Sequence, residues 1–190
     1  MATSVIVKVY KKATALTERL LNQFRIIHFR LLGIQIGHGC YIGKGVKMVG
    51  NISIGNRTAI GDYTCFSTSE TGMLNIGNDC HINSLTMIGS TAKVVISDHC
   101  IFAPFIQITD ATHEFDDIKA NIKDAPIAAT PVHIGENVWL GSGVVVLKGV
   151  TIGKGAVVGA SSLVKKSLPE GSVSVGAPAK VIRDRKISAT

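Results

Sequence analysis

Along most of this chain a bulky apolar residue recurs at every sixth position, usually followed by glycine. The pairs are Ile36-Gly37, Ile42-Gly43, Ile54-Gly55, Ile60-Gly61, Ile76-Gly77, Ile88-Gly89, Ile134-Gly135, Leu140-Gly141, Ile152-Gly153 and Val158-Gly159. The register runs 36, 42, 48, 54, 60, 66, slips by four to 76, 82, 88, slips by two to 96, 102, 108, and breaks. It resumes at 134 and continues 140, 146, 152, 158, 164, every position being Ile, Leu, Val, Met or Phe. Four residues after each lies a second lattice of small or β-branched residues, among them Val46, Ile52, Thr58, Thr64, Thr86, Ala92, Val138, Val144, Val150 and Ala156. A sustained six-residue period predicts a parallel β-helix, in which short strands stack coil upon coil around one apolar core. The bulky residue points inward, β-branched neighbours suit the short strands, and glycine is expected to supply backbone freedom near each corner.

Three stretches depart from the beat. In residues 1–33, Leu16, Leu20, Phe24, Ile27 and Leu31 repeat at helical spacing with Arg19, Arg25 and Arg30 between them, predicting an amphipathic helix. Such a helix would cover the open first coil or pack on a neighbouring subunit, as any solenoid end requires. Its basic residues would alternatively bring it to an anionic membrane surface, a peripheral membrane contact. The second departure is a loop at 110–131, with His113 at its root, where the rigid stack still fixes position. Long ejections from regular scaffolds tend to carry function. The third is a basic tail, residues 168–190. From Lys148 onward there are eight basic residues against Glu170 and Asp184, a charge suited to a small polyanion such as phosphate. The organisation expected is therefore 1–33 helical, 34–167 β-helix with its protruding loop, and 168–190 tail.

Composition changes the picture little. The chain has 190 residues, 46% hydrophobic, with 20 glycines and a net charge of +7, as suits one domain with an aliphatic core. Neither a long uncharged apolar segment nor a cleavable signal is visible, so a cytoplasmic location is expected, with no nucleic-acid partner. Cys40, Cys80 and Cys100 fall on the small-residue lattice and no CxxC pair exists, which predicts buried packing rather than disulfide or zinc chemistry.

These residues together resemble the hexapeptide-repeat acyltransferases, in particular galactoside and maltose O-acetyltransferases and bacterial polysaccharide or O-antigen O-acetyltransferases. The likeness covers about residues 34–190. It is densest from Pro131-Val132-His133-Ile134-Gly135 through Gly176-Ala177-Pro178-Ala179-Lys180-Val181-Ile182-Arg183. The resemblance implies an all-β, left-handed parallel β-helix of about six coils with an N-terminal helical cap. The left hand comes from the resemblance alone, because the general crossover rule favours the right. It also implies a homotrimer using acetyl-CoA as acyl donor, no metal, and a saccharide acceptor. Pro104 followed nine residues later by His113 matches the family's catalytic base, and Asn83, thirteen before Ile96, matches the asparagine that faces the acceptor. By the same matching the coenzyme would contact Trp139, the backbone at Ser142 and Ala160, Lys165, Lys166 and Arg183, in a groove between subunits.

The expected chemistry is transfer of an acetyl group to a sugar hydroxyl, with neutral His113 as general base and backbone N–H groups on the developing oxyanion. Asp110 and Glu114 are candidates to orient the imidazole. His113 competes with His28, His38, His81, His99 and His133 for the role. Departures from the galactoside pattern, Glu114 after the histidine and Thr91 in place of an acidic acceptor contact, point to a glycan or lipid-linked saccharide. The alternative is an N-acetyltransferase acting on a nucleotide-linked amino sugar. A zinc lyase on the same fold would need a second histidine near Ile118 and is disfavoured.

Overall fold

The structure, a computed structural model, describes residues 2–186, with side chains in the N-terminal helix described from Thr14 onward. The last four residues of the tail lie outside this range. A helix, Ala2–Leu31, precedes a stack of short parallel strands that fall into three sheets. The first sheet contains Gln35–Ile36, Ile52–Ile54, Leu74–Ile76, Val94–Ile96, Val132–Ile134 and Thr151–Ile152. The second contains Tyr41–Ile42, Ala59–Ile60, His81–Ile82, Ile101–Phe102, Trp139–Leu140 and Val157–Val158, extended by Ser172–Gly176 and Ala179–Asp184. The third contains Lys47–Val49, Cys65–Thr68, Met87–Ser90, Gln107–Thr109, Val145–Val146 and Leu163–Val164. The chain visits the sheets in the order first, second, third and begins again, six times among the described residues: a parallel β-helix, as the period predicts.

The sixfold lattice is the core. All eighteen of its positions, from Ile36 to Val164, are buried. They stack in register from coil to coil, Ile36 beside Ile54, Ile54 beside Ile76, Ile76 beside Ile96, and Ile96 beside Ile134. The slips of four and two residues in the beat are absorbed at the edge joining the third sheet to the first, in bends around residues 69–72 and 91–93. The second lattice adds polar satisfaction. Cys40, Cys80 and Cys100 are buried, and their Sγ atoms donate to the carbonyls of Gly55, Ser97 and Gly135 one coil further on, at 3.1, 3.2 and 3.1 Å. The neighbouring Cys80 thiol, then burial, push the Cys100 thiol far up, which keeps it protonated.

The glycines of the beat serve a purpose different from the one their corner position suggests. They do not have positive φ; instead the next coil passes directly over all of them but Gly89. A Cβ on Gly141 would stand 2.6 Å from the backbone nitrogen of Ala160, and one on Gly37 would stand 2.7 Å from the carbonyl carbon of Gly55. The left-handed residue comes two positions later. Gly39, Gly45, Gly143, Gly149 and Gly155, and the non-glycines Arg57, Tyr63, Asp79, Leu85, His99, Phe105, Asn137 and Ser161, all have φ between 54 and 75°. Such a conformation costs a non-glycine side chain about 1 kcal/mol, and the stacked corner over-determines it.

The helix closes the first coil with its own polar groups. Asn22, Ile26 and Phe29 are buried against the coil. Asn22 Nδ2 donates to the Cys40 carbonyl at 3.1 Å, and its Oδ1 accepts from Ile42 N at 2.8 Å. Arg30 donates to the carbonyls of Ile36 and Gly37 at 2.7 and 3.0 Å. These bonds replace a missing coil and protect two exposed sheet edges. The apolar row predicted to cover the coil, Leu16, Leu20, Phe24, Ile27 and Leu31, is on the other side of the helix, exposed.

The coil-contact role of the glycines yields a paired prediction. Gly141→Ala is expected to lower stability by about 1–3 kcal/mol, because backbone must move to admit the methyl. Gly89→Ala follows the same sequence beat but has nothing within 4 Å of its would-be Cβ, and should be near neutral. Thermal or denaturant unfolding of the two variants checks the contrast.

Candidate active site

The excursion between the fourth and fifth coils begins at Asp110, which is fully buried. Its carboxylate accepts from Ser90 Oγ at 2.9 Å, Thr91 N at 2.7 Å and Ala92 N at 2.9 Å, and its carbonyl accepts from Thr130 N at 2.8 Å. Asp110 is therefore occupied in pinning the root of the loop and does not orient His113. Beyond it the chain forms an antiparallel hairpin, Ala111–His113 against Ile127–Ala129, with His113 opposite Ile127. Glu114 N donates to the Pro126 carbonyl at 2.9 Å, extending the hairpin one residue past the histidine.

His113 is exposed at the end of its strand, with Nδ1 3.4 Å from the Ala125 carbonyl oxygen. A carbonyl can only accept, so in the neutral ring this contact places the proton on Nδ1 and leaves the Nε2 lone pair available. The ring borders a hollow of about 750 Å³, lined also by Phe115, Asp117, Ile122, Ala125 and Lys148. No side chain of Asp110 or Glu114 bonds the imidazole. Lys148, from the coil beneath, is a neighbour that sequence spacing did not single out.

The other candidate residues are distributed over the edges of the prism. Asn83, Ser142 and Ala160 lie on the edge between the second and third sheets, in coils three, five and six. That edge is a continuous backbone ladder, with Phe105 N donating to Ser84 O at 3.2 Å, Gly143 N to Pro104 O at 3.1 Å and Ser161 N to Ser142 O at 2.8 Å. The Asn83 side-chain oxygen accepts from Ser84 N at 3.0 Å, while its side-chain nitrogen makes no bond among the described residues. Ser142 Oγ donates to the Pro104 carbonyl at 2.9 Å. Lys165 and Lys166 are exposed on the edge between the third and first sheets, the same edge from which the His113 hairpin leaves. Trp139 and Arg183 share one lateral row of the second sheet, Trp139 beside Val157, Val157 beside Val173, Val173 beside Arg183. Three strand spacings, about 14 Å, separate them.

Within one chain, then, His113 and the two lysines share an edge, Asn83, Ser142 and Ala160 share the next, and the width of the third sheet separates the groups. One feature on the second edge escaped the sequence reading. Tyr63, Leu85 and Phe105 occupy its left-handed corner positions in coils two, three and four and are all exposed. With outward Met87 they form an apolar ridge. The corresponding corners between the first and second sheets carry Arg57, Asp79, His99 and Asn137, with Arg57 bonded to Asp79 at 2.7 Å and Lys154 to Glu136 at 2.8 Å. The signal was present as large apolar residues three positions after an inward bulky residue, Ile60, Ile82 and Phe102. Only knowledge of the turn shows that this position faces out.

Among the described residues no three His, Cys, Asp or Glu side chains converge as metal ligands. No described helix is long and apolar enough to cross a membrane.

Comparison with known proteins places this geometry in context. Residues 131–166 match the family model described as bacterial transferase hexapeptide (six repeats). A Mycobacterium tuberculosis protein described as a probable acetyltransferase is 35% identical over 176 residues, covering 89% of this chain and 58% of that protein, so the chain spans little more than half its length. The provisionally named colanic acid biosynthesis acetyltransferase WcaF of Escherichia coli is 33% identical over 171 residues, covering 90% of this chain and 80% of the relative. Among solved structures, a point mutant of AntD, an N-acyltransferase from Bacillus cereus in complex with dTDP and coenzyme A, superposes with a TM-score of 0.75 at 26% identity, covering 84% of this chain and 88% of that one. With a repeat that runs through six stacked coils and a relative matched over four fifths of its length, the chain belongs to the hexapeptide-repeat acyltransferase family.

Proposed function

We propose that this protein is an acetyl-CoA-dependent O-acetyltransferase that acts on a sugar hydroxyl of a glycan or lipid-linked saccharide, with His113 as general base. The observation that carries the reading is the imidazole itself: exposed, rooted by the buried Asp110 clamp, and held by Nδ1 against a backbone carbonyl beside a hollow large enough for a sugar. The acceptor hydroxyl oxygen attacks the thioester carbonyl as Nε2 removes its proton. The tetrahedral centre then collapses, the C–S bond breaks, and the coenzyme leaves as a thiol carrying that proton. No covalent acyl-enzyme is needed, because the donor is already activated.

The assembly we propose is a trimer with the third sheet facing the threefold axis. In that ring the second–third edge of one subunit meets the third–first edge of the next, a heterologous contact that closes after three copies. Two observations support it. The ridge of Tyr63, Leu85 and Phe105 is exposed, and the candidate residues lie on two edges that such a junction would bring together. Asn83 of one subunit would then face the acceptor held by His113 of its neighbour. Ser142, Ala160, Trp139, Lys165, Lys166 and Arg183 would line the coenzyme groove between them.

A second reading is N-acylation of a nucleotide-linked amino sugar, favoured by the likeness to an N-acyltransferase crystallised with dTDP and coenzyme A. Incubation with labelled acetyl-CoA and mass spectrometry of the products separates the two. Acetyl esters on a glycan support the first, and an acetamido sugar nucleotide the second.

Three outcomes are expected. His113→Ala should lower kcat about 10²–10⁴-fold with unchanged folding, read by steady-state kinetics and thermal unfolding. Near-normal turnover would place the base elsewhere, His81 on the second sheet being next to test. The double variant Lys165→Ala, Lys166→Ala should raise KM for acetyl-CoA while kcat holds, since these charge-assisted contacts are the same in ground and transition states. A rise in the acceptor KM alone would assign the lysines to the saccharide. Finally, light scattering should give a trimer mass. Co-assembly of equal amounts of His113→Ala and Asn83→Ala chains should restore about a quarter of wild-type activity, the fraction of statistical interfaces in which both residues are intact. No recovery in mixed trimers would put both residues of each site in one chain.

A further inference from the structure

The N-terminal helix is two-sided in a way that its role as a cap does not explain. Asn22, Ile26 and Phe29 face the first coil. At 3.6 residues per turn, Leu16, Leu20, Phe24, Ile27 and Leu31 lie on the opposite side, with exposures of 60, 54, 69, 51 and 82%. All residues from 14 to 21 are exposed, so this part of the helix overhangs the end of the prism. A neighbour in the trimer beneath that overhang would meet Ala15, Glu18 and Arg19, which continue the coil-facing side. The apolar row would remain uncovered. It also continues onto the first coil, where Phe24, His28 and Leu32 join Met48 and Val49 around an open hollow of about 520 Å³.

Charge decides what fits this row. The helix carries Lys8, Lys11, Lys12 and Arg19, besides Arg25, which pairs with the lone acid Glu18 at 3.1 Å, and Arg30, which is bonded to the coil carbonyls. A second copy of the same helix would add like charge to like charge. An anionic surface would not. Geometry agrees, because the helix lies across the end of the coil stack, and three prisms standing side by side would present three such rows at one end of the particle. We propose that this end docks on an anionic lipid bilayer, the row Leu16, Leu20, Phe24, Ile27 and Leu31 entering the headgroup boundary and the remaining positive charge of the helix drawing it to lipid phosphate. The inference stands on the helix and does not depend on which acceptor is acetylated. Its functional consequence is concentration of the enzyme where lipid-linked saccharides reside.

The test is co-sedimentation of the full-length protein with vesicles of equal parts phosphatidylglycerol and phosphatidylcholine, and separately of phosphatidylcholine alone. Binding to the anionic vesicles is expected, weakened by raising salt from about 0.1 to 0.5 M, and about fivefold weaker for each of Lys8, Lys11 and Lys12 replaced by alanine. Leu20→Glu combined with Phe24→Glu should cost at least about tenfold in partitioning. Both residues are exposed, so melting temperature and particle mass should be unchanged. Failure of the wild-type protein to bind anionic vesicles, or binding that survives the double variant, would overturn the proposal. So would a particle larger than a trimer that the same variant breaks down, which would assign the row to a second copy of this chain.

Discussion

The whole molecule depends on coils approaching to strand spacing at their corners, and that approach is permitted by the absence of a side chain at the residue after most inward aliphatics. Gly37, Gly43, Gly55, Gly61, Gly77, Gly135, Gly141, Gly153 and Gly159 each donate their N–H to a carbonyl one coil further on, at 2.7–2.9 Å. A methyl there would occupy the space of that coil's backbone, or at Gly159 that of the Val175 side chain. With the approach secured, inward aliphatics stack in register and each sheet's edge becomes the next coil's template. Where Asn83, Ser97, Ala103 and Leu147 stand in place of glycine the same bond forms at 2.9–3.0 Å, so glycine eases the approach at most corners and is not required at every one.

A stack of this kind has two problems, its ends and its chemistry. The first end is met by a helix whose Asn22 and Arg30 satisfy the carbonyls and the N–H that a preceding coil would have bonded. At the other end the antiparallel strands Ser172–Gly176 and Ala179–Asp184 continue the second sheet and place Arg183 in the lateral row of Trp139. Chemistry cannot be housed inside, because the interior is filled by side chains. It is confined to the edges and to segments ejected from them. The buried Asp110 carboxylate makes such a segment rigid, converting three donors of the preceding coil's turn into an anchor for the hairpin that presents His113.

The distribution of polar and apolar residues over the three edges gives the prism a direction. The edge between the first and second sheets carries ion pairs and asparagines, whereas the edge between the second and third carries Tyr63, Leu85 and Phe105. One suits solvent and the other a partner. The helix repeats the same logic at the end of the prism, with a coil-facing side that is consumed and an apolar row that is not.

The sequence by itself determined the fold, the number of coils and the core, because a six-residue period names each inward position without reference to anything distant: Ile36 through Val164 are buried as the beat requires. It also located the ejected segment that carries His113, although the root of that segment is Asp110 and the histidine stands at the end of the hairpin strand. It could not assign the helix faces correctly, since Leu16, Leu20, Phe24, Ile27 and Leu31 form the more regular apolar stripe, and only docking shows that Asn22, Ile26 and Phe29 meet the coil. Nor could it distinguish a glycine needed for φ from one needed for closeness, or see that Asp110 bonds residues twenty positions earlier instead of the nearby imidazole. Those distinctions belong to the tertiary structure, because they depend on which atoms of neighbouring coils lie within bonding or clashing distance. Period carries information along the chain; contact between coils, helix and hairpin decides what each outward-facing residue can do.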